Sequence, residues 1–223
     1  AIVDSFLSDM GTRMESVFDV FSSVKSSRDQ SQEALYVRLK ASEIINSTLD
    51  IQIIMKDLLT LLINEFSLDC IAIHLYNENY NYAGGAIMKS QKYDDDQLTW
   101  LDEWHTSCKH FTKINNTLII NDFELSPDVT KYRKTFLAGV VACGHVPISR
   151  KGEPPIGIIS VYSMSIKGLF SPEFIELLSN LAGQLAQAIV IVREIEAKET
   201  ERKQKEQALL HNALIKKEME IAQ

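Results

Sequence analysis

A long helical pattern at the C-terminal end constrains this chain more than any other feature. Ser171 and Pro172 form a capping pair, and Glu173 follows as an acidic first-turn residue. Apolar residues then recur at alternating spacings of three and four: Leu178, Leu181, Leu185, Ala188, Val192 and Ile195. Charged residues dominate from Glu196 to Gln207, after which Leu210, Leu214 and Ile221 resume the pattern weakly. One helix of about 50 residues would be about 75 Å long. A compact domain cannot bury such a helix alone, so we expect it to need a partner.

A second apolar seam lies at the N-terminal end. Met10, Met14, Val17, Phe21 and Val24 are spaced by four and three residues, and a polar patch over Ser26–Gln32 then leaves open whether one helix or two form here. Leu35, Leu39, Ile44 and Ile45 continue the pattern. Because a monomer would leave both seams exposed, they predict a parallel homodimer. The dimer helices would use Met10, Met14, Val17 and Phe21, together with Leu178, Leu181, Leu185, Val192 and Ile195.

Between the two seams, helical and strand patterns alternate. Asp50 can cap a helix that ends near Phe66, and Asn77, Asn79 and Asn81 mark a turn. Gly152 lies in a second turn. We predict strands at Cys70–Tyr76, Tyr80–Met88, Thr117–Phe123, Val140–Ile148 and Pro155–Tyr162, and helices at Asp94–His110 and Pro127–Leu137. This order predicts an α+β fold, an antiparallel sheet with flanking helices.

Charge and cysteine content narrow the function classes. The 223 residues carry a net charge of −7, which argues against a nucleic-acid-binding surface. We expect no membrane insertion, because no run of about 18 apolar residues is present. The three cysteines form no paired motif, which favours a reducing compartment and a cytoplasmic location.

Several segments of the middle zone resemble GAF domains. Lys151-Gly152-Glu153 with Pro155–Ser163 is similar to the penultimate strands of that family, and Phe170–Ile189 is similar to its closing helix. Leu118–Asp122 resembles the usual mid-domain strand that ends in aspartate. The related PAS fold is the main competing interpretation. The resemblance implies a GAF-like domain over residues 48–193, preceded by signalling helices over 1–47 and followed by a helical linker over 194–223.

A second resemblance lies at the extreme C-terminus. Residues Ile215–Gln223 are similar to the segment that leads into SpoIIE-like serine/threonine phosphatase domains of bacterial stress-response regulators. The resemblance implies an attached output domain of that kind, and diguanylate cyclase or histidine kinase outputs are alternatives. We identify no metal-binding aspartate motif of such a phosphatase in this chain. The chain itself is therefore expected not to be an enzyme, and the status of the full-length protein stays open.

Strand alternation gives the candidate binding residues, because successive side chains point to opposite faces. Each central strand has one aliphatic face and one polar or aromatic face. The GAF resemblance implies that the polar faces line a ligand cavity under residues 126–137. The candidate pocket then comprises His74, Tyr76, Cys143, His145, Ser160 and Tyr162. The alternative is that these groups satisfy one another without any ligand. The sequence identifies neither the ligand nor any cofactor.

Other chemistries have weaker signals. His105, Cys108 and His110 offer soft ligands but no paired-cysteine spacing, so we predict no metal site. Residues 131–136 contain no cysteine that could attach a bilin, and we find no cyclic-nucleotide signature. GAF-type enzymes that reduce free methionine sulfoxide use three cysteines, and Cys143 lies near one of those positions. Their Gly-rich cysteine motif is absent here. The expected function is thus a regulatory sensory and dimerisation module, with the reductase and a ligand-free dimerisation spacer as alternatives.

Overall fold

The computed structural model describes residues 32, 34–93, 116–125 and 139–221. Residues 34–45 form helix α1 in this part of the chain. The remaining elements are α2 (Ile51–Glu65), β1 (Cys70–Tyr76), β2 (Tyr82–Lys89), β3 (Leu118–Ile120), β4 (Ala142–Ile148), β5 (Gly157–Ser163) and α3 (Pro172–Ile221). The predicted helix at Asp94–His110 and the predicted helix at Pro127–Leu137 lie outside the described residues.

Capping and turn residues determine where several of these elements begin and end. Asp50 caps α2, and its side chain accepts hydrogen bonds from the backbone N–H groups of Gln52 and Ile53. Asn77 closes the β1–β2 turn, because its Oδ1 accepts from the N–H groups of Asn79 and Asn81 at 3.0 Å each. The structure therefore confirms the predicted cap at Asp50 and the predicted turn at Asn77–Asn81. The predicted bounds of β2 and β3 differ from the observed ones by one to three residues at their ends.

The five strands form one antiparallel sheet in the order β2-β1-β5-β4-β3. Strand β5 lies at the centre and pairs with β1 and β4 on its two sides. The β4–β5 connection is a tight turn, in which the Glu153 N–H donates to the Arg150 carbonyl at 3.0 Å and Gly152 has a φ of +83°. That left-handed conformation favours glycine. The observed α+β sheet with flanking helices confirms the predicted fold class.

One face of the sheet, which we call the helix face, packs against the described helices. It presents Ile71, Ile73, Val146, Ile159 and Val161, which belong to one buried cluster with residues of α1, α2 and α3. The opposite face, which we call the second face, carries a separate cluster that includes Cys70, Tyr76, Cys143, Ile158 and Tyr162. The predicted division of each strand into an aliphatic and a mixed face is therefore confirmed.

The first half of α3 is a core helix. Leu178, Leu181 and Leu185 are fully buried in the cluster of the helix face. The sequence assigned these three leucines to a dimer interface, but the structure places them inside their own domain, and this placement corrects that assignment. Val192 is also buried, and Ile195 is half-buried. The stripe that α3 uses for the sheet cannot also face a second copy.

Helix α1 also packs on the core with one apolar stripe and leaves its other apolar residues exposed. Its buried stripe is Val37, Ala41 and Ile45, spaced by four residues. Leu35 and Leu39, which the sequence placed in the resumed seam, are exposed. Met10, Met14, Val17 and Phe21 lie outside the described residues.

The second half of α3 leaves the domain as an exposed stalk. Arg202–Glu206 and Glu201–Lys205 ion pairs lie four residues apart along it and support an isolated helix. Beyond them the helix exposes large apolar side chains: Leu209, Leu210, Leu214, Ile215 and Met219. Exposed apolar surface of this kind is typical of surfaces that associate with another molecule.

Among the described residues, one helix meets the length and composition of a membrane span. The segment is Pro172–Ile215, whose most apolar window has a mean hydropathy of 1.5 and is half buried inside the domain. Core helices of soluble proteins also have this length and composition. The burial of Leu178, Leu181 and Leu185 accounts for the apolar composition here.

Alanine substitutions at two glycines test the packing, because one glycine is closely surrounded and the other faces open space. A Cβ at Gly157 would lie 2.5 Å from the His74 carbonyl oxygen and 2.9 Å from Leu75 Cδ2, so β1 and β5 would have to separate. We expect Gly157→Ala to lower the free energy of unfolding by about 1–3 kcal/mol. A Cβ at Gly183 in α3 meets no atom within 4 Å, so Gly183→Ala should raise it by up to about 1 kcal/mol. Urea denaturation followed by circular dichroism measures both, and equal effects of the two variants would contradict this packing.

Candidate functional site

The six predicted pocket residues all lie on the second face. The strand register places Ser160 between Ala72 of β1 and His145 of β4, and it places Tyr162 between Cys70 and Cys143. Residues paired in this way share a face, and His74 and Tyr76 follow at two-residue steps along β1. All six side chains are at most 5% exposed. The structure therefore brings together side chains from three adjacent strands, as the alternation predicted.

His145 and Ser160 form the polar centre of this face. The His145 Nδ1 lies 2.9 Å from the Ser160 Oγ, and both groups are buried. The imidazole also contacts Tyr162 edge-on, with ring centroids 5.7 Å apart and an interplanar angle of 74°. These contacts fix the orientation of the ring, so its Nε2 edge is held in one place.

Both histidines of the face are neutral at pH 7. Burial lowers the pKa of His74 from 6.5 to about 4. Burial and then the nearby His74 lower the pKa of His145 to about 3. A neutral imidazole offers one hydrogen-bond donor and one acceptor. The face thus presents polar groups without positive charge on either ring.

The cysteines of this face are poorly suited to redox chemistry. Burial raises the pKa of the Cys143 thiol far above its ordinary value, which disfavours the reactive thiolate. Cys70 and Cys143 flank Tyr162 on the two neighbouring strands. Since adjacent strands are about 4.8 Å apart, the two cysteines are about 9.6 Å apart, beyond the reach of a disulfide. Cys108 lies outside the described residues.

A buried carboxylate at one end of the face was missed by the sequence interpretation. Asp69, directly before β1, is 2% exposed, and its Oδ2 accepts a hydrogen bond from the Met164 N–H at 2.8 Å and from the Ser165 Oγ at 3.0 Å. Burial would raise its pKa, but these bonds, a hydrogen bond from Tyr93 and the charge of Lys92 outweigh it and hold the pKa below 3.8. The only sequence signal was an ionisable residue between Leu68 and Cys70, at the start of a buried strand.

An open groove of about 620 Å³ lies elsewhere, between the edge strand β3 and the start of α3. Its walls include Ile119, Phe170 and Ile175. Asn121 ties its two sides together, since its side chain accepts from the Phe170 N–H and donates to the Phe170 carbonyl. The six predicted residues do not line this groove.

Among the described residues no cluster of three metal-ligating side chains occurs, and His105, Cys108, His110 and residues 126–137 lie outside them.

The sequence model of the GAF domain family matches residues 48–190. This chain belongs to the GAF family. GAF domains are sensory and regulatory modules, and the observed five-stranded antiparallel sheet with flanking helices is the fold of that family. No curated protein matches the chain.

Several solved structures resemble the chain, to different degrees. The GAF domain region of a Geobacter sulfurreducens PCA protein is 39% identical, with a TM-score of 0.48, and the match covers 67% of this chain and 99% of that one. The GAF domain of a Pseudomonas syringae pv. tomato protein described as a sensor histidine kinase is 14% identical, with a TM-score of 0.59 and coverage of 80% and 99%. The free methionine-R-sulfoxide reductase of Neisseria meningitidis, solved with its substrate, is 15% identical, with a TM-score of 0.52 and coverage of 74% and 93%. At these identities the last two show a shared fold.

The neutral histidines of this GAF domain make the free energy of unfolding depend on pH. The unfolded chain binds protons at histidine near pH 6.5, whereas the folded chain does so only near pH 4 and pH 3. Unfolding therefore takes up protons in this window, and stability falls as the pH falls through it. By pH 4.5 we expect a loss of about 2–3 kcal/mol per histidine. Urea denaturation from pH 7.5 to 4.5 measures the loss, and His145→Gln should make the pH dependence shallower. An NMR titration that shows His145 protonating above pH 6 would contradict the assignment.

Proposed function

We propose that this GAF domain binds a small molecule on the second face of its sheet and transmits the occupancy of that site through α3. The observation that carries the proposal is the convergence of six buried polar and aromatic side chains on one face, while α3 packs on the other. Ligand sites combine apolar walls with a few convergent polar groups. Here Ile158 and Phe123 supply apolar surface beside the His145–Ser160 pair.

The sheet is thin enough to couple the two faces. On β4, His145 lies between Gly144 and Val146, and both neighbours point to the helix face. A Cβ at Gly144 would lie 3.4 Å from Ile175 Cδ1 of α3 and 3.0 Å from Val161 Cγ2. A ligand that moves the His145 backbone by a fraction of an ångström would therefore press on the first turns of α3, because packed interiors are not continuously deformable.

The mechanism is a shift between two arrangements of α3. A ligand changes that equilibrium only by the difference between its affinities for the two arrangements. Because α3 runs unbroken from the core to Ile221, a small tilt at the sheet becomes a larger displacement at the stalk. The charged segment of the stalk holds the helix together between the two ends.

The proposal includes a parallel homodimer in the cytoplasm. Its support is the exposed apolar surface at Leu209, Leu210 and Leu214, with Leu35 and Leu39 on α1. Val192 and Ile195 lie at the boundary between the buried half of α3 and its exposed stalk, so the proposed interface begins beyond them. The odd cysteine count supports the cytoplasmic location. The N-terminal residues Met10, Met14, Val17 and Phe21 would extend the same interface.

The output domain is proposed from resemblance. Residues 215–223 resemble the lead-in to a SpoIIE-like serine/threonine phosphatase, so the regulated activity would be dephosphorylation of a protein serine. The domain division at residues 47 and 193 belongs to the same proposal. A diguanylate cyclase or histidine kinase output fits the same stalk.

Native mass spectrometry of the chain as purified tests the ligand. We expect an added small-molecule mass on the unmodified chain. We expect His145→Gln to lose it, because the substitution removes the imidazole at the centre of the face. His211→Gln is the matched control, since it makes the same change on the exposed stalk and should retain the mass.

An unmodified chain that carries no added mass under gentle ionisation would favour the ligand-free spacer. Equal retention by the two variants would place the ligand elsewhere on the domain. Thioredoxin-coupled turnover of methionine sulfoxide by the same preparation would overturn the non-enzymatic assignment.

A further inference from the structure

Asp69 is a buried charged residue that the proposed binding site does not use. It lies at the start of β1 with 2% of its surface exposed, next to Cys70 of the second face. A buried carboxylate is costly to desolvate unless several groups compensate it. Its compensating groups therefore show what it holds in place.

Those groups come from two separate segments. The first is the turn after β5, where Met164 N–H and Ser165 Oγ donate to Asp69 Oδ2. The second is the turn after β2, where the Ser90 N–H donates to the Asp69 carbonyl at 2.9 Å and Lys92 Nζ lies 3.6 Å from Oδ1. Tyr93 in this second turn lies near enough to the Asp69 carboxylate to lower the pKa of that group, and burial and then the carboxylate raise the pKa of the Tyr93 phenol.

Both segments contribute a wall to the second face. Tyr93 and Met164 are half-buried and pack against the cluster that contains Cys70, Cys143 and Tyr162. The rest of each segment is largely exposed: Gln91, Lys92 and residues 165–168. The turn after β5 has ties of its own, from the Ile166 N–H to Ser163 Oγ and from the Gly168 N–H to the Asn121 carbonyl, and Asp69 joins this turn to the segment 90–93. Segments of this kind open at low free-energy cost, without unfolding of the domain.

We propose that Asp69 is a latch for the second face: it holds the Tyr93 and Met164 walls together at the Cys70 end, and its release opens that end of the face to solvent. Ser163, whose Oγ lies 3.4 Å from Asp69 Oδ2, is on β5 and stays with the sheet. The turn of residues 164–166 moves together with the segment 90–93. The role of this opening as a route for a ligand rests on the proposed function, but the opening itself is measured without a ligand.

Thiol labelling of the full chain tests the latch. The rates of N-ethylmaleimide modification of Cys70 and Cys143 are followed separately by peptide mass spectrometry, over a range of urea concentrations below the unfolding transition. The rates in fully unfolded protein correct each cysteine for its intrinsic reactivity, which the removal of a neighbouring charge changes.

Three variants separate the latch from general destabilisation. Asp69→Asn keeps the size of the side chain and removes its charge. Lys92→Gln removes only the exposed ion-pair partner, whose side chain is 64% exposed, and so keeps the test available if Asp69→Asn does not fold. Asp57→Asn, on the exposed side of α2, is the matched control.

We expect Asp69→Asn to speed the labelling of Cys70 at least tenfold, and that of Cys143, which lies opposite the same Tyr162, in step with it, both with rates almost independent of urea. Lys92→Gln should give a smaller increase of the same kind, and Asp57→Asn none. If the rates of both cysteines instead rise steeply with urea, Asp69 only stabilises the whole domain and the latch is refuted. If Cys70 is unaffected in every variant, the latch is also refuted. Neither result bears on the mass-spectrometric test of ligand binding.

Discussion

The burial of the first half of α3 against the sheet is the contact on which the rest of this domain depends. Leu178, Leu181 and Leu185 close the helix face, and with α1 and α2 they supply the apolar core. Full burial of one leucine contributes about 1.5–3 kcal/mol, so this stripe is a large part of a typical net stability. It also fixes where α3 leaves the domain, because the helix continues without a break into the stalk.

With the helix face closed in this way, the second face is free to carry polar chemistry. His145 and Ser160 satisfy each other at 2.9 Å, and both histidines stay neutral. Buried polar groups that are satisfied give a surface a defined shape and hydrogen-bonding pattern. Asp69 plays a comparable part at the margin, where one carboxylate joins two turns that share little apolar packing.

The sequence predicts the faces of the sheet well and the use of α3 only in part. Strand alternation is a property of the backbone, so His74, His145 and Ser160 could be placed on one face without a structure. The spacing of Leu178, Leu181 and Leu185 is the same for a core helix as for a dimer helix, and periodicity alone does not distinguish the two. The observed burial assigns these leucines to the core.

The role of Asp69 could not be predicted, because its partners come from distant parts of the chain. Lys92 lies in one segment, and Met164 and Ser165 lie in another. Short-range patterns carry no signal for such contacts. The groove beside β3 was missed for a similar reason, since Ile119 and Ile175 line it from elements that are distant along the chain. In this domain local chemistry determines caps, turns and faces, whereas tertiary contacts determine how the faces are used.

We propose that α3 passes from its own core into an interface with a second copy. Light scattering coupled to gel filtration, with the full chain at micromolar concentration, measures this directly. We expect twice the mass of one chain, and we expect Leu214→Glu on the stalk to give a single-chain mass, because it places a charge in the apolar surface. Leu125→Glu, at an exposed position of the domain, is the matched control and should remain a dimer. A single-chain mass for the unmodified protein would contradict the account.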